Sequence, residues 1–468
     1  MSGRARVVKR KKEGDERVDK SHAVSHARRE AFEILRRVED EGAFAAPLLA
    51  GLSEELTSED RSLCYELTLG VLRRRLWLDR ALEHFAGRAT LKLDAPVRRA
   101  LRLGLYQLRF LTRVPARAAV NESVNLVHAA RLRSAAPFVN AVLRRAAREP
   151  EYDPASEIED PIERVSVETS HPVWLVARWA EAFGREEAAS FARANNDTAP
   201  AAFRVNTLSP NSDALISQLG DSGLNLKPSR VAPGAWRVEG GAGAGAVLRR
   251  LAAEGRIYLQ DEASQLVAHV LGAREGERVL DACAAPGSKT THAAALAEDR
   301  ALIVAGDLYE HRLRTIEEAC ARLGVRSVRT VTLNAERALP FDDGAFDRVL
   351  VDAPCTGTGT LRHNPEIRWR LAPENIRELS EVQSRILREA ARVLRPGGRL
   401  VYSTCSVERE EDEEVIDKFL NERPDFRQLK AEPAPPEILL PSGAARTWPH
   451  RDDVDGFFVT ALIKSTEY

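Results

Sequence analysis

The sequence predicts three folded segments in series: an all-α helical bundle, a small α+β segment, and an α/β domain built on a parallel sheet with helices on both faces. Three observations carry the prediction. Apolar residues recur at helical spacing from Ala27 to about Arg148. Helical windows alternate with short extended ones between about Arg164 and Val267. From Gly276 onward, apolar strand-like runs alternate with helical windows. The boundaries follow: a tail over residues 1–24, the bundle over 25–148, a linker over 149–163, the small segment over 164–267 and the α/β domain over 268–468.

Length agrees with several cores, because 468 residues exceed what one hydrophobic core covers and 44% apolar residues suffice to fill more than one. No window approaches the ~18 consecutive apolar residues of a membrane helix. The start, Met1-Ser2-Gly3-Arg4, lacks the apolar centre of a signal peptide. A cytoplasmic protein without membrane contact is therefore expected. The five cysteines (Cys64, Cys283, Cys320, Cys355, Cys405) are widely spread, with neither a CxxC pair nor a histidine cluster at ligand spacing. Reduced thiols, no metal and a monomeric chain are the expectation. The formal net charge of -1 hides an asymmetry, since residues 1–150 hold about 30 Lys and Arg against about 19 Asp and Glu. A basic front on a mildly acidic remainder suits a polyanion, with solvated surface charge as the plain alternative.

In chain order, the tail mixes Lys9-Arg10-Lys11-Lys12 with acids and few large apolar residues, the composition of disorder. The bundle shows patterns such as Ala31, Ile34, Leu35 and Val38. An acidic, proline-bearing stretch from Glu149 to Pro161 follows, a linker composition. In the small segment the glycines from Gly240 to Gly245 read as a mobile turn, because no strand-to-helix pattern frames them. The α/β domain offers strands at Arg278 to Cys283, Leu302 to Ala305, Val328 to Leu333, Arg348 to Val351 and Arg399 to Ser403. In such sheets ligands sit beyond the carboxyl ends of the strands.

The first of those ends carries Asp281-Ala282-Cys283-Ala284-Ala285-Pro286-Gly287-Ser288-Lys289, after which a helix begins at about Thr290. Small residues let the backbone approach a ligand, and a helix N-terminus favours a carboxylate. The next strand ends at Asp307, whose side chain can accept hydrogen bonds from both ribose hydroxyls. The loop lacks the G-x-G-x-x-G of a dinucleotide site and the glycine spacing of a phosphate-binding Walker loop. S-adenosylmethionine, with an amino-acid carboxylate and one ribose, suits a short loop and one acid better.

The fourth strand runs into Asp352-Ala353-Pro354-Cys355, and the fifth into Thr404-Cys405-Ser406. Enzymes that methylate exocyclic amines place an aromatic where Cys355 stands. Two thiols converging on one pocket suit methylation of a pyrimidine carbon: a thiolate adds to carbon 6 and turns carbon 5 into a nucleophile. A carboxyl group and an ammonium that manage the N3 proton would help, and Asp352 and Lys289 are the candidates. Cys64 and Cys320 lie within helical patterns and read as small buried hydrophobes, while Cys283 reads as lining of the cofactor loop.

These residues resemble the RsmB/Sun family of cytosine-5 RNA methyltransferases. The likeness rests on Asp281 to Thr290, Asp307, Asp352 to Cys355, Thr404 to Ser406 and the late segment His450 to Phe458, which ends in Asp455-Gly456-Phe457-Phe458, and it covers roughly the last 300 residues. It implies a Rossmann-like class I methyltransferase domain with S-adenosylmethionine bound by Cys283, Ala284, Ala285, Pro286, Gly287, Ser288, Lys289, Asp307, Asn334 and Asp352. It also implies Cys405 as the nucleophile, Cys355 as an aid to product release, and Asp352 holding the cytosine edge. Two departures stand out: Asn334 replaces an Asp that commonly meets the adenine, and Ser288 replaces a common Gly. Arg204 to Thr207 and Gln260 to Ser264 resemble the family's RNA-contacting module. Val114 to Arg117, Asn121-Glu122 and Phe138 to Arg144 resemble a NusB-like domain. This front implies 16S rRNA, free or in a small-subunit assembly intermediate, as the partner.

Lys9 to Lys12 and the arginines of residues 102–145 are read as sources of electrostatic attraction to RNA. The segment Arg362 to Arg370 interleaves bases with Trp369 and reads either as an RNA-steering loop or as a solvated loop with the indole packed inward. Two rival readings remain at this point: an RNA-binding or antitermination-type protein carrying a degenerate methyltransferase domain, and a transferase acting on an exocyclic amine.

Overall fold

The computed structural model describes residues 24–53, 56–241 and 243–466. Residues 1–23, including Lys9 to Lys12, lie outside them. Two compact units form. Among the described residues, the first comprises those up to Ala43 with those of Gly51–Val71 and Leu78–Tyr152; the second comprises Phe44–Ala50, Leu72–Trp77 and those from Asp153 onward. Among the described residues no helix is long and apolar enough to cross a membrane.

The first unit is helical throughout. Helix His26–Asp40 buries Ala27, Ala31, Ile34, Leu35 and Val38, the i, i+4 stripe seen in the sequence. Helix Ala95–Phe110 is buried nearly all round, from Val97 to Gln107, and is the axis of the unit. Neighbours reach it closely because glycines stand at the crossings: a Cβ on Gly104 would lie 2.4 Å from Leu143, and one on Gly70 would lie 2.0 Å from Tyr106. Two arginines of this axis are structural. Arg102, 1% exposed, is bound by Asp79 and Glu39, and Arg99 by Glu39 and Asp40.

In the second unit, helices Pro161–Thr169, Val173–Phe183 and Arg185–Ala194 lead to a four-stranded antiparallel sheet. Its strands are β1 (Ala201–Val205), β2 (Asn225–Pro228), β3 (Ala235–Gly240) and β4 (Ile257–Leu259), in the order β2-β3-β1-β4. Helices Leu215–Asp221 and Ala244–Ala253 close a core of Phe203, Leu215, Leu219, Leu248, Leu251 and Ile257. The glycine run turns the chain from β3 into helix Ala244–Ala253, with Gly243 left-handed at its start.

The large sheet contains β5 (Arg278–Asp281), β6 (Leu302–Asp307), β7 (Val328–Thr332), β8 (Phe346–Asp352), β9 (Leu394–Thr404), β10 (Phe426–Leu429), β11 (Ala445–Thr447) and β12 (Phe457–Lys464). The order is β10-β12-β9-β8-β5-β6-β7, with β11 pairing off the path to β12. β5 to β9 are mutually parallel. Val349, Leu350 and Val351 of β8 are 0% exposed, as a strand covered on both faces requires. Each such side chain contributes about 1.5–3 kcal/mol on burial. The expected all-parallel sheet is corrected at one edge, where β10, β11 and β12 run antiparallel to their neighbours. A largely apolar run such as Phe457 to Ile463, broken only by Thr460, marks burial but not strand direction. The strand order reverses between β5 and β8, which opens a crevice at their carboxyl ends.

Candidate active site

β5 ends at Asp281 and the chain turns through Ala282 to Gly287 into helix Ser288–Leu296. The amide of Ala284 donates to the carbonyl of Gly306 at 2.8 Å, tying the loop to β6. Gly287 has φ of 95°, which disfavours any side chain, and a Cβ there would lie a tight 3.2 Å from Ile316. Cys283, Ala285 and Ser288 are half-buried and Pro286 is exposed, while Ala284 and Lys289 are buried. Burial pushes the Asp281 carboxyl up to about 7 even though Thr290 Oγ1 donates to it at 2.7 Å.

β6 delivers Asp307, 4% exposed, whose Oδ1 accepts from the amide of Tyr309 and whose Oδ2 lies 3.3 Å from Arg312. Leu308 and Tyr309, directly after it, are 48% and 52% exposed. The amide of Leu333 donates to the Asp307 carbonyl, which brings the end of β7 and the half-buried Asn334 to the same edge. Asn334 Oδ1 accepts from the amide of Glu336. This donor set fits S-adenosylmethionine: a buried carboxylate for ribose hydroxyls, exposed apolar side chains beside it for an adenine, and a small-residue turn at a helix N-terminus for the amino-acid end.

Asp352 ends β8 opposite Ser403 of β9. Its Oδ1 accepts from Ser403 Oγ and its Oδ2 from Lys289 Nζ, both at 2.7 Å. Burial works to discharge the Lys289 ammonium, but the adjacent carboxylate outweighs it and holds the pKa above the ordinary value. Lys289 Nζ also lies 5.2 Å from the centre of the Phe457 ring. Beyond Asp352 and Thr404 come the two thiols, with Cys355 Sγ 3.4 Å from Cys405 Sγ. The hydrogen bond it shares with Cys405, together with burial, raises the Cys355 thiol well above its usual pKa. Both sulfurs line a cleft of about 630 Å³ whose wall includes Phe44, Ile367 and Arg370.

Against this geometry three comparisons can be set. The profile described as 16S rRNA methyltransferase RsmB/F matches residues 268–463, that of the NusB family residues 25–148, and that of the RsmF/B-like ferredoxin-like domain residues 171–243. A probable ribosomal RNA small subunit methyltransferase B of Bacillus subtilis (strain 168) is 38% identical over 443 residues, covering 93% of this chain and 98% of the relative. The chain belongs to the RsmB/F family of 16S rRNA methyltransferases. The crystal structure of PH0851 superposes with a TM-score of 0.79 at 29% identity, over 94% of this chain and 98% of that one. A methyltransferase homologue from Pyrococcus horikoshii gives 0.56 at 28% identity, over 66% of this chain and all of that one. Like its RsmB/F relatives, the protein is an S-adenosylmethionine-dependent rRNA methyltransferase.

In this RsmB/F chain the sheet brings the loop from Cys283 to Lys289 together with Asp307 and Asn334, and brings Asp352, Lys289, Cys355 and Cys405 together. Several basic residues offered by the sequence are internal instead. Arg204 is 3% exposed and bound to Gln260 and Thr291, and burial lowers its pKa to about 10. Arg362 is held by Asp453. Arg368, 0% exposed and lowered to about 9 by burial, donates to carbonyls of Thr169, Ser170, Asn195 and Leu361. Only Arg370 of that segment's arginines faces outward. Sequence reasoning gave no role to Ser403 or Glu411, and it quoted Phe457 only as part of a family motif. It also missed that Asp261, His363 and Asp455 each bring one ligand-type atom within 4.8 Å of the others. No spacing rule links residues so far apart in the chain.

Proposed function

We propose that this protein methylates carbon 5 of a cytosine in 16S rRNA, free or in an assembling small subunit, through a covalent adduct on Cys405. The observation that carries the reading is the pair of sulfurs 3.4 Å apart, delivered by the ends of adjacent parallel strands beside an Asp–Lys pair. Bound S-adenosylmethionine supplies an electrophilic methyl group. The loop Cys283 to Ser288, with Asp307 and Asn334, holds it. Residues 25–148 and 164–267 serve as RNA-docking segments for the catalytic residues 268–468.

The Cys405 thiolate adds to carbon 6, and the displaced π electrons make carbon 5 nucleophilic. The Asp352–Lys289 pair lends a proton to N3 during attack and takes it back on release. While Cys405 is charged, its hydrogen bond keeps Cys355 a thiol. Once that sulfur is bonded to carbon, the share of the restraint that came from the Cys405 hydrogen bond is lifted, and Cys355 passes its proton to solvent. Cys355 then accepts the carbon 5 proton, the carbon 6–sulfur bond breaks, and the electron pair returns to Cys405.

The test separates the thiols by step. Cys405→Ala is expected to abolish both methyl transfer and any RNA adduct. Cys355→Ala is expected to methylate at most once and to remain joined to RNA carrying the labelled methyl group on a denaturing gel. Reversed phenotypes would exchange the two roles, and full turnover in both variants would end the covalent reading.

A further inference from the structure

The carboxylate of Glu411 touches neither Asp352 nor Lys289, yet it is bound to both thiol-bearing loops. Its side chain is 0% exposed. Oε1 accepts from the Thr356 amide at 2.9 Å and from Gln383 Nε2 at 3.0 Å, and Oε2 accepts from the hydroxyls of Thr356 and Ser406, each at 2.5 Å. Thr356 follows Cys355 and Ser406 follows Cys405. Gln383, on helix Pro373–Val393, also donates to the carbonyl of Pro354, the residue before Cys355. A second tie runs from the Gly359 amide to the Cys405 carbonyl.

Burying an ionised carboxylate is expensive, and among the described residues no cation pairs with this one. Four donors offset part of the cost, and burial still holds the carboxyl above its ordinary pKa. An amide, hydroxyl or aliphatic side chain would be cheaper to bury, so a bare structural link does not need a carboxylate. A carboxylate is distinctive in accepting at both ends and donating at neither. It forces Thr356 and Ser406 to point their hydroxyls inward, fixing the orientation of the backbone that carries each sulfur.

We propose that Glu411 is a positioning residue for the two-thiol reaction, anchoring both cysteine loops so that Cys355 reaches the carbon to which Cys405 is joined. This rests on the covalent reading above. Cys405 emerges directly from β9, whereas Cys355 sits on an irregular loop beyond β8, so loosening the anchor displaces Cys355 first. Release then fails before addition does.

The test compares Glu411→Gln, Thr356→Val, Cys355→Ala and the parent for kcat, KM for an RNA fragment, cofactor affinity and gel-stable adduct. A displacement of about 1 Å in a reacting group costs up to about 100-fold. Glu411→Gln is therefore expected to lower kcat roughly 10- to 100-fold. KM and cofactor affinity should stay within about twofold of the parent, and methylated adduct should accumulate as in Cys355→Ala. Thr356→Val, which keeps the carboxylate and removes one donor, is expected to shift both readouts in the same direction by less, and it carries the test if Glu411→Gln does not fold. Parental kcat in the folded variant, or lost kcat without adduct while Cys355→Ala retains adduct, overturns the proposal alone. Absence of adduct from Cys355→Ala itself overturns the two-thiol reading and this inference with it.

Discussion

At the scale of single residues, charge placement separates binding from chemistry. Asp307 is buried where a ribose would meet it, and removing a charged acceptor from a sheltered site costs about 1–3 kcal/mol. Asp307→Ala is accordingly expected to weaken S-adenosylmethionine binding by that amount in calorimetry, with RNA affinity unchanged; equal affinity of variant and parent would place the ribose elsewhere. Asp352 acts differently, because its loss strands the Lys289 ammonium in a buried position. Asp352→Asn is expected to lower the unfolding free energy by about 2–4 kcal/mol, and adding Lys289→Met should recover part of that. Urea titrations of the parent, Asp352→Asn, Lys289→Met and the double variant measure the coupling, and additive effects in the double variant would deny it. Asp307, Asp352, Cys355 and Cys405 could be singled out in the sequence because each lies at or within three residues of the carboxyl end of an apolar strand. Glu411 could not, since its meaning lies in four donors, three of them from two segments distant in the chain. The arginines misled for the opposite reason: a guanidinium satisfied by carbonyls, like Arg368, looks the same in a sequence as one in solvent.

At the scale of elements, the site depends on two strand ends being held in register. Gly359 follows the Cys355 turn, and a Cβ there would stand 1.9 Å from the Gly456 carbonyl oxygen just before β12. Both partners are backbone, so Gly359→Ala must separate the loop from the strand. It is expected to cost about 1–3 kcal/mol and lower the melting temperature, with adduct yield falling in parallel; an unchanged melting temperature would refute the clash. β5 carries a pH-dependent liability. The folded chain holds a proton on Asp281 up to about pH 7, whereas the unfolded carboxyl releases it near ~4. In that window the folded state binds more protons, so this group's contribution to stability falls as pH rises and levels off above about 7. Asp281→Asn removes the dependence, and its advantage over the parent should be larger at pH 8 than at pH 5, by an amount on the order of a few kcal/mol. Melting curves at the two pH values with the same difference would show that the carboxyl is not the cause. The parallel strands were predicted from their alternation with helices, but the antiparallel edge was not, because direction is decided by which strand the chain returns to.

At the scale of the whole molecule, the basic excess of the first 150 residues divides into two populations. Arg99 and Arg102 are enclosed by carboxylates and hold the helical unit together. Arg113, Arg117, Arg131, Arg133, Arg144 and Arg148 are exposed on the chain between residues 111 and 148, where Glu122 is the sole acid. Replacing these six with Gln is expected to flatten the salt dependence of RNA binding by about 0.7 in log–log slope for each phosphate no longer neutralised. Arg102→Gln should instead lower the melting temperature and leave the slope alone. Filter-binding titrations decide, and an unchanged slope in the six-residue variant would remove the exposed arginines from RNA binding.

β12 pairs with β9 on one side and β10 on the other, and β11 pairs with it as well. A ribosome that has released residues up to about 450 therefore presents β9 as an open edge, with β10 and β11 lacking the strand they both require. The catalytic half of the nascent chain cannot close its sheet until β12 emerges, and during that interval an apolar edge is available to other chains. Pulse-labelled chains halted before Phe457 should be protease-sensitive beyond β9 and should gain protection in a single step once Lys464 has cleared the exit tunnel.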